Sequence, residues 1–85
     1  MSIENILEER QKTHGSFKTH AEISQSLKRV MCNRPSWQKL SDSQREALGM
    51  IQHKIARILN GNAGHIDHWD DIAGYATLVS KELQQ

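Results

Sequence analysis

The sequence predicts an all-α protein in which about four helices form a compact bundle. In the second half of the chain, apolar residues recur at intervals of three and four, which is the helical period. Residues favoured at helix starts and glycines favoured at helix ends separate the periodic segments. No run of residues alternates between apolar and polar as a half-buried strand does, so no sheet is predicted.

The first two helices are predicted at residues 2–13 and 17–31. Gly15 is expected to end the first helix, because glycine adopts the left-handed terminal conformation at low cost. Ser16 or Thr19 can cap the second helix with a side-chain oxygen. Both helices are amphipathic, so each is expected to place one apolar side on the bundle.

A break is predicted between the second and third helices. Pro35 lacks a backbone donor and disfavours a helical residue before it, so Trp37 is expected to lie over the bundle from a loop. Ser41 and Gln44 have the spacing of a capping box, in which each side chain accepts from the other residue's backbone. The third helix is therefore predicted at residues 42–60.

The third helix carries two neighbouring stripes of side chains. The apolar stripe, which we expect to be buried, consists of Leu48, Ile51, Ile55, Ile58 and Leu59. The second stripe is partly ionisable and consists of Glu46, Met50, His53 and Arg57.

The fourth helix is predicted at residues 67–83 and also has an apolar seam. Trp69, Ile72, Ala76, Val79 and Leu83 step by three and four residues, and Trp69 is expected in the core. Asp67, Asp71 and Tyr75 line a neighbouring edge, and Gly74 suggests close approach of a helix or ligand. If the last two helices pack antiparallel, this edge and the ionisable stripe face one cleft.

The length and composition predict one domain, residues 1–85, with a modest core. Hydrophobic residues make up 36% of the chain and aromatic residues 5%. Because such a core is marginal alone, we expect a homo-oligomer that shares helices between subunits. Cys32 is the only cysteine, which excludes an intramolecular disulfide and favours a reducing cytoplasm.

The net charge of +1 gives no strong attraction to nucleic acid or membrane, and neither is an expected partner. No segment has the length of a signal sequence or membrane span. Residues 1–40 hold seven Lys and Arg against four Asp and Glu, whereas residues 41–85 hold four against six. This division suits a phosphate ligand between basic groups and a metal ion.

His14 and His20 are expected as surface or capping groups.

Three segments carry a resemblance to a known family: ERQKTHGSF at 9–17, HKIARILNG at 53–61 and DHWDDIAGYATLV at 67–79. Together they resemble the small phage-encoded proteins grouped with the MazG-like, all-α nucleotide pyrophosphohydrolases. The resemblance extends from about Ile6 to Leu83. It implies an oligomeric protein that binds Mg²⁺ and splits a nucleoside triphosphate between its α- and β-phosphates, in the host cytoplasm if phage-encoded.

The resemblance also implies roles for individual residues. The catalytic residues would be Glu46 and His53. Phosphate and nucleotide would be bound by Lys54, Arg57 and Tyr75, with the tyrosine ring available to stack on a base. The ligands of Mg²⁺ would be Glu46, Asp67 and Asp71.

Two other functions stay open at this point. The third helix offers a single carboxylate, Glu46, with Gly49 three residues later, where the family pattern has further glutamates. A protein that binds a nucleotide without turnover, sequestering a cyclic or ADP-ribose-type host defence signal, needs fewer carboxylates. A helical interaction module without nucleotide affinity is the third hypothesis.

Overall fold

A computed structural model describes residues 2–85, except for the side chains of Gln11, Thr13 and His14. It confirms the all-α prediction: over the described residues there are helices and no strand. The elements are α1 Ile3–His14, α2 Phe17–Cys32, a 3-10 helix Pro35–Lys39, α3 Asp42–Asn60 and α4 Ile66–Leu83.

The predicted helix starts are confirmed. Ser16 caps α2 by accepting a hydrogen bond from the Thr19 backbone N–H at 3.3 Å. Ser41 and Gln44 form the complete capping box at the start of α3, with distances of 3.1 and 2.9 Å. The Arg45 side chain donates to two carbonyls of the 3-10 helix, which fixes that short helix against α3.

The turn between α1 and α2 is attached to the far end of α3. Gly15 has φ of +74°, the left-handed conformation that favours glycine. A Cβ at Gly15 would overlap the carbonyl oxygen of Asn60. The Asn60 side-chain amide donates to the Ser16 carbonyl at 2.8 Å. Gly15 is therefore required both by its backbone angle and by the closeness of α3.

Helix α3 lies in the middle, with α2 on one side and α4 on the other. Lys54 and Asp71 form an ion pair at 2.9 Å, and the Ser43 hydroxyl donates to Glu82 at 3.1 Å. Because an early residue of α3 meets a late residue of α4, the two helices are antiparallel, as predicted. The protein measures 44 × 26 × 22 Å, which is elongated for its size.

The core of the single chain is small. Ala47 and Ala56 are its buried apolar residues, and no large side chain among the described residues is fully buried. They lie nine residues apart, about two and a half turns, so they face opposite sides of α3. Each therefore marks one helix contact, Ala47 toward α4 and Ala56 toward α2, and both contacts are made through small residues.

The predicted burial of the apolar seams holds only in part for the single chain. Four seam residues are half-buried, namely Ile51, Ile58, Ile72 and Val79, and the others are exposed. Leu59 is 66% exposed and Trp69 is 53% exposed, and Leu48 and Ile55 are also exposed. The physical reason is that α2 and α4 flank α3 on opposite sides and leave the stripe between them uncovered. No helix of the same chain closely approaches Gly74, since a Cβ there would have no neighbour within 4 Å. No helix in the described part of the chain has the length and apolarity needed to cross a membrane.

Candidate functional site

A concave pocket opens where α1 crosses α2 and α3. Its volume is about 300 Å³. The residues that line it, which we call the cationic pocket, are Leu7, Arg10, Gly15, Phe17, His20, His53 and Arg57. None of these lining residues is acidic.

Two histidines form the inner wall of the cationic pocket. The rings of His20 and His53 meet edge to face, with centroids 4.6 Å apart and planes at 76°. His20 is buried, so the expectation that it lies on the surface or caps a helix is wrong. Its Nδ1 has no hydrogen-bond partner among the described residues. The pair joins α2 to α3 and leaves unused hydrogen-bonding capacity beside the pocket.

Both imidazoles are neutral near pH 7. Burial is the main cause that lowers the pKa of His53 from 6.5 to about 4, followed by the positive charge of Arg57 and smaller effects of other cations. Burial and Arg57 also lower the pKa of His20. A neutral imidazole can both donate and accept a hydrogen bond, so the wall is polar without adding charge.

Positive charge in the pocket comes from two guanidinium groups. Arg10 projects from α1 and Arg57 from α3, and neither has a carboxylate within ion-pair distance in the described structure. Phe17 stands beside them with 81% of its surface exposed. Guanidinium groups bind phosphate in a two-pronged geometry, and an exposed aromatic ring offers a stacking surface. The pocket can thus accept a phosphate joined to a flat ring.

The predicted catalytic residue His53 and the predicted phosphate- and nucleotide-binding residues are divided between two places. His53 and Arg57, which share the second stripe of α3, lie in the cationic pocket. Lys54 does not line it; its side chain is 13% exposed and pairs with Asp71 across the α3–α4 contact. Tyr75 lies further along α4 and lines two other cavities, one of them together with Glu46. Lys54 is therefore already neutralised within the chain.

The three predicted metal ligands are not united within one chain. Glu46 lies eight residues before Lys54, about 12 Å along α3, so it lies well away from Asp71, which pairs with Lys54. Asp67 is exposed and lies 3.6 Å from a nitrogen of His65. Within the described residues, no three His, Cys, Asp or Glu side chains are grouped closely enough to hold a metal ion. Glu46, Asp67 and Asp71 of a single chain therefore do not fit a shared magnesium site.

Sequence reasoning did not identify three residues of the pocket: Arg10, Phe17 and His20. In the sequence, Arg10 has the position of a water-facing residue on an amphipathic helix, and Phe17 is one of four large aromatic side chains. The contact of α1 with α3 joins residues far apart in sequence, so no local spacing reveals it. The available signal was the segment ERQKTHGSF, in which a glycine turn lies between an arginine and an aromatic residue.

The structure is that of a small helical protein with a cavity between α1, α2 and α3 that is lined by two arginines and two histidines. A family model described as "Domain of unknown function (DUF6378)" matches residues 2–83, and the chain belongs to this family. The description of that family names no activity. Searches of curated proteins and of solved structures found no match to the chain.

Proposed function

We propose that the protein binds a nucleotide in the cationic pocket, with Arg10 and Arg57 on the phosphates and Phe17 stacked on the base. The observation that carries the proposal is the pair of guanidinium groups in one concave pocket without a carboxylate partner. A volume of about 300 Å³ is at the lower end of the range for small-molecule sites. A nucleotide would therefore be enclosed around its phosphates and extend over Phe17.

The histidines support a phosphate ligand in a second way. The low pKa of His53 reflects burial beside positive charge with no compensating acid. A bound phosphate supplies the missing negative charge and can accept hydrogen bonds from both imidazoles. The unpartnered Nδ1 of His20 adds a buried polar atom that an ordered water or ligand atom can satisfy.

Binding without turnover agrees better with this geometry than hydrolysis does. The cationic pocket contains no carboxylate to orient an attacking water or to hold Mg²⁺. In this proposal the protein sequesters its ligand, and the phosphate-bearing classes include linear, cyclic and ADP-ribose-type nucleotides. The MazG-like resemblance contributes the expectation of a nucleotide, and the pocket contributes the mode of binding.

A metal-dependent pyrophosphohydrolase is the second candidate, and one observation favours it. Burial and His65 are the main causes that lower the pKa of His68. Arg57 and Lys54 lower it further and Asp71 raises it, so the acidic edge lies within electrostatic reach of Arg57. Mg²⁺ is often held by only one or two carboxylates together with substrate phosphates and waters. Asp71 and Asp67 would then hold the metal, which would neutralise charge on the triphosphate.

A nucleotide-binding panel separates the two candidates. The purified protein is titrated with ATP, cyclic AMP, ADP-ribose and adenosine by calorimetry, in Mg²⁺ and in EDTA, and each mixture is then analysed by chromatography. Sequestration predicts binding of the phosphorylated ligands, no binding of adenosine, and recovery of intact nucleotide in either buffer. Metal-dependent formation of AMP and pyrophosphate that is lost in Asp71→Asn would instead establish the hydrolase.

Variants assign the binding to this pocket. Arg57→Gln should weaken nucleotide binding at least tenfold, because it removes a charge-assisted phosphate contact. Arg29→Gln is the matched control, since Arg29 lies on α2, outside the pocket, and bonds to Ser26. Phe17→Ala should weaken ATP binding while leaving the binding of inorganic tripolyphosphate unchanged. Equal affinity of Arg57→Gln and the wild type would contradict the proposal.

We also propose that the functional form is a homo-oligomer. The single chain buries only small apolar residues, and this supports the expectation from composition. A cytoplasmic nucleotide pool is the matching environment for such a protein.

A further inference from the structure

We propose that a second copy of this chain packs on one uncharged face of the α3–α4 layer and forms a two-fold symmetric dimer. The residues of this apolar face are Leu48, Ile55 and Leu59 on α3 and Trp69, Ala76 and Leu83 on α4. The face is a different surface from the cationic pocket, so the inference does not depend on the proposed nucleotide.

Helical positions place these residues on one side of the layer. Glu46 and Leu78 line a common cavity and so mark one flank of the α3–α4 contact. Ile55 is nine residues from Glu46, and Trp69 is nine residues from Leu78, which is about two and a half turns in each case. Both side chains therefore project from the opposite flank, and their neighbours at three- and four-residue spacing project with them.

The single chain exposes more solvent-accessible surface than a folded monomer of its mass is expected to expose. A folded monomer of 9.7 kDa exposes about 5,100 Å². This chain exposes 6304 Å², which is about 1,200 Å² more than that expectation. Subunits of obligate dimers each bury on the order of 1,000 Å² or more, so the excess matches one such interface.

The chemistry of the face favours a second copy over another partner. The Asp, Glu, Lys and Arg residues of α3 and α4 all occupy other helical positions. An uncharged surface can meet itself about a two-fold axis without like-charge repulsion. A groove of about 310 Å³ beside Trp37, lined in part by Leu48 and Ile55, can receive an apolar side chain of the partner. Arg34 precedes the 3-10 helix and is the one charged residue among those that line this groove. Because the chain lacks a large buried core, the covering partner must be present whenever the protein is folded.

The dimer leaves both cationic pockets accessible. Arg57 lies eleven residues after Glu46, about three turns, so it shares the flank of Glu46 and faces away from the apolar face. Two ligand sites would then open on the two outer sides of the dimer.

Sedimentation velocity with two matched variants tests the interface. The wild type should sediment as a dimer at micromolar concentration. Leu59→Glu should raise the dimer dissociation constant at least tenfold. Leu78→Glu is the control, because Leu78 is 62% exposed, close to the 66% of Leu59, and lies on the opposite flank of the α3–α4 contact. A monomeric wild type, or equal dissociation by both variants, would overturn the proposal.

A measurement on the wild type covers the case in which Leu59→Glu does not fold. A soluble paramagnetic probe broadens the NMR signals of methyl groups that contact solvent. The methyl groups of Leu48 and Leu59 should be protected, whereas those of Leu78 and Leu7 should broaden. Equal broadening of Leu59 and Leu78 would show an open face and overturn the proposal.

Discussion

The backbone conformation of Gly15 directly shapes the cationic pocket. Its left-handed φ turns the chain from α1 into α2, and its missing side chain lets Asn60 approach. The turn places Arg10 before it and Phe17 after it on the same pocket. The geometry of one glycine therefore determines whether the guanidinium group and the aromatic ring can serve one ligand.

Gly15→Ala should lower the free energy of unfolding by about 1–3 kcal/mol, because it adds backbone strain and a clash with the Asn60 carbonyl. The measurement is urea denaturation followed by circular dichroism. Gly74→Ala is the control: its Cβ would meet open space within α4, so it should leave stability unchanged or raise it by up to about 1 kcal/mol. A Gly15→Ala protein as stable as the Gly74→Ala protein would contradict this view of the turn.

His53 makes stability depend on pH. Its pKa is about 4 in the folded protein and 6.5 when unfolded, so between these values the unfolded chain binds more protons. Stability should fall as pH decreases below about 6.5, with His53 contributing about 1–2 kcal/mol of loss between pH 7 and pH 5. Arg57, Lys54 and Lys28 supply the surrounding positive charge, and His20 adds to it only when it is protonated.

Urea denaturation at several pH values measures this effect. His53→Gln keeps a polar side chain but cannot gain a charge in this range. Its stability should vary less between pH 7 and pH 5 than that of the wild type. An identical pH dependence in both proteins would show that His53 is not the responsible group.

At the scale of the elements, the sequence predicted the helices to within about two residues at each end. Local signals were sufficient for this: Ser41 and Gln44 form the predicted box, and Gly15 ends α1 as expected. The packing of the seams was not predictable in the same way. Leu59 and Trp69 have the period of core residues, but a period does not say whether the covering helix belongs to the same chain.

The candidate site was predicted in part for a similar reason. The ionisable stripe of α3 correctly placed His53 and Arg57 on one side of the helix. The partners of these residues come from α1 and α2, and long-range packing brings them there. The predicted cleft between α3 and α4 instead contains the Lys54–Asp71 ion pair, which uses two residues that were expected to bind ligands.

The Lys54–Asp71 pair should contribute modestly to the contact between α3 and α4. The Lys54 side chain is largely buried, whereas the Asp71 side chain is partly exposed, so solvent screens the interaction between them. A double-mutant cycle with Lys54→Met and Asp71→Asn should give a coupling energy of about 0.5–1 kcal/mol at low salt. The coupling should decrease in 1 M NaCl. Zero coupling at low salt would show that the pair does not stabilise the contact.

For the whole molecule, the two flanks of the α3–α4 layer have different roles. One carries the cationic pocket, and the other carries the uncharged face that we assign to a second copy. A protein with a small core per chain and a large shared interface has a stability that depends on its concentration. The composition suggested an oligomer for the same reason, because a chain with few large apolar residues can build only a small core.

The melting temperature should therefore rise with protein concentration. Scanning calorimetry over a hundredfold range of concentration should shift the midpoint upward by several degrees, because dimerisation is coupled to folding. Leu59→Glu should remove most of this dependence. A midpoint independent of concentration in the wild type would argue that each chain is stable alone.

In our proposal, the cationic pocket binds the phosphates and the base of a nucleotide. The most direct test is an NMR titration of isotope-labelled protein with ATP, cyclic AMP and ADP-ribose, following backbone amides and the histidine rings. We predict shifts concentrated around Arg10, Phe17, His20, His53 and Arg57 for at least one of these ligands. Shifts confined to the Glu46 and Asp71 edge, or the absence of shifts with every ligand, would contradict the account.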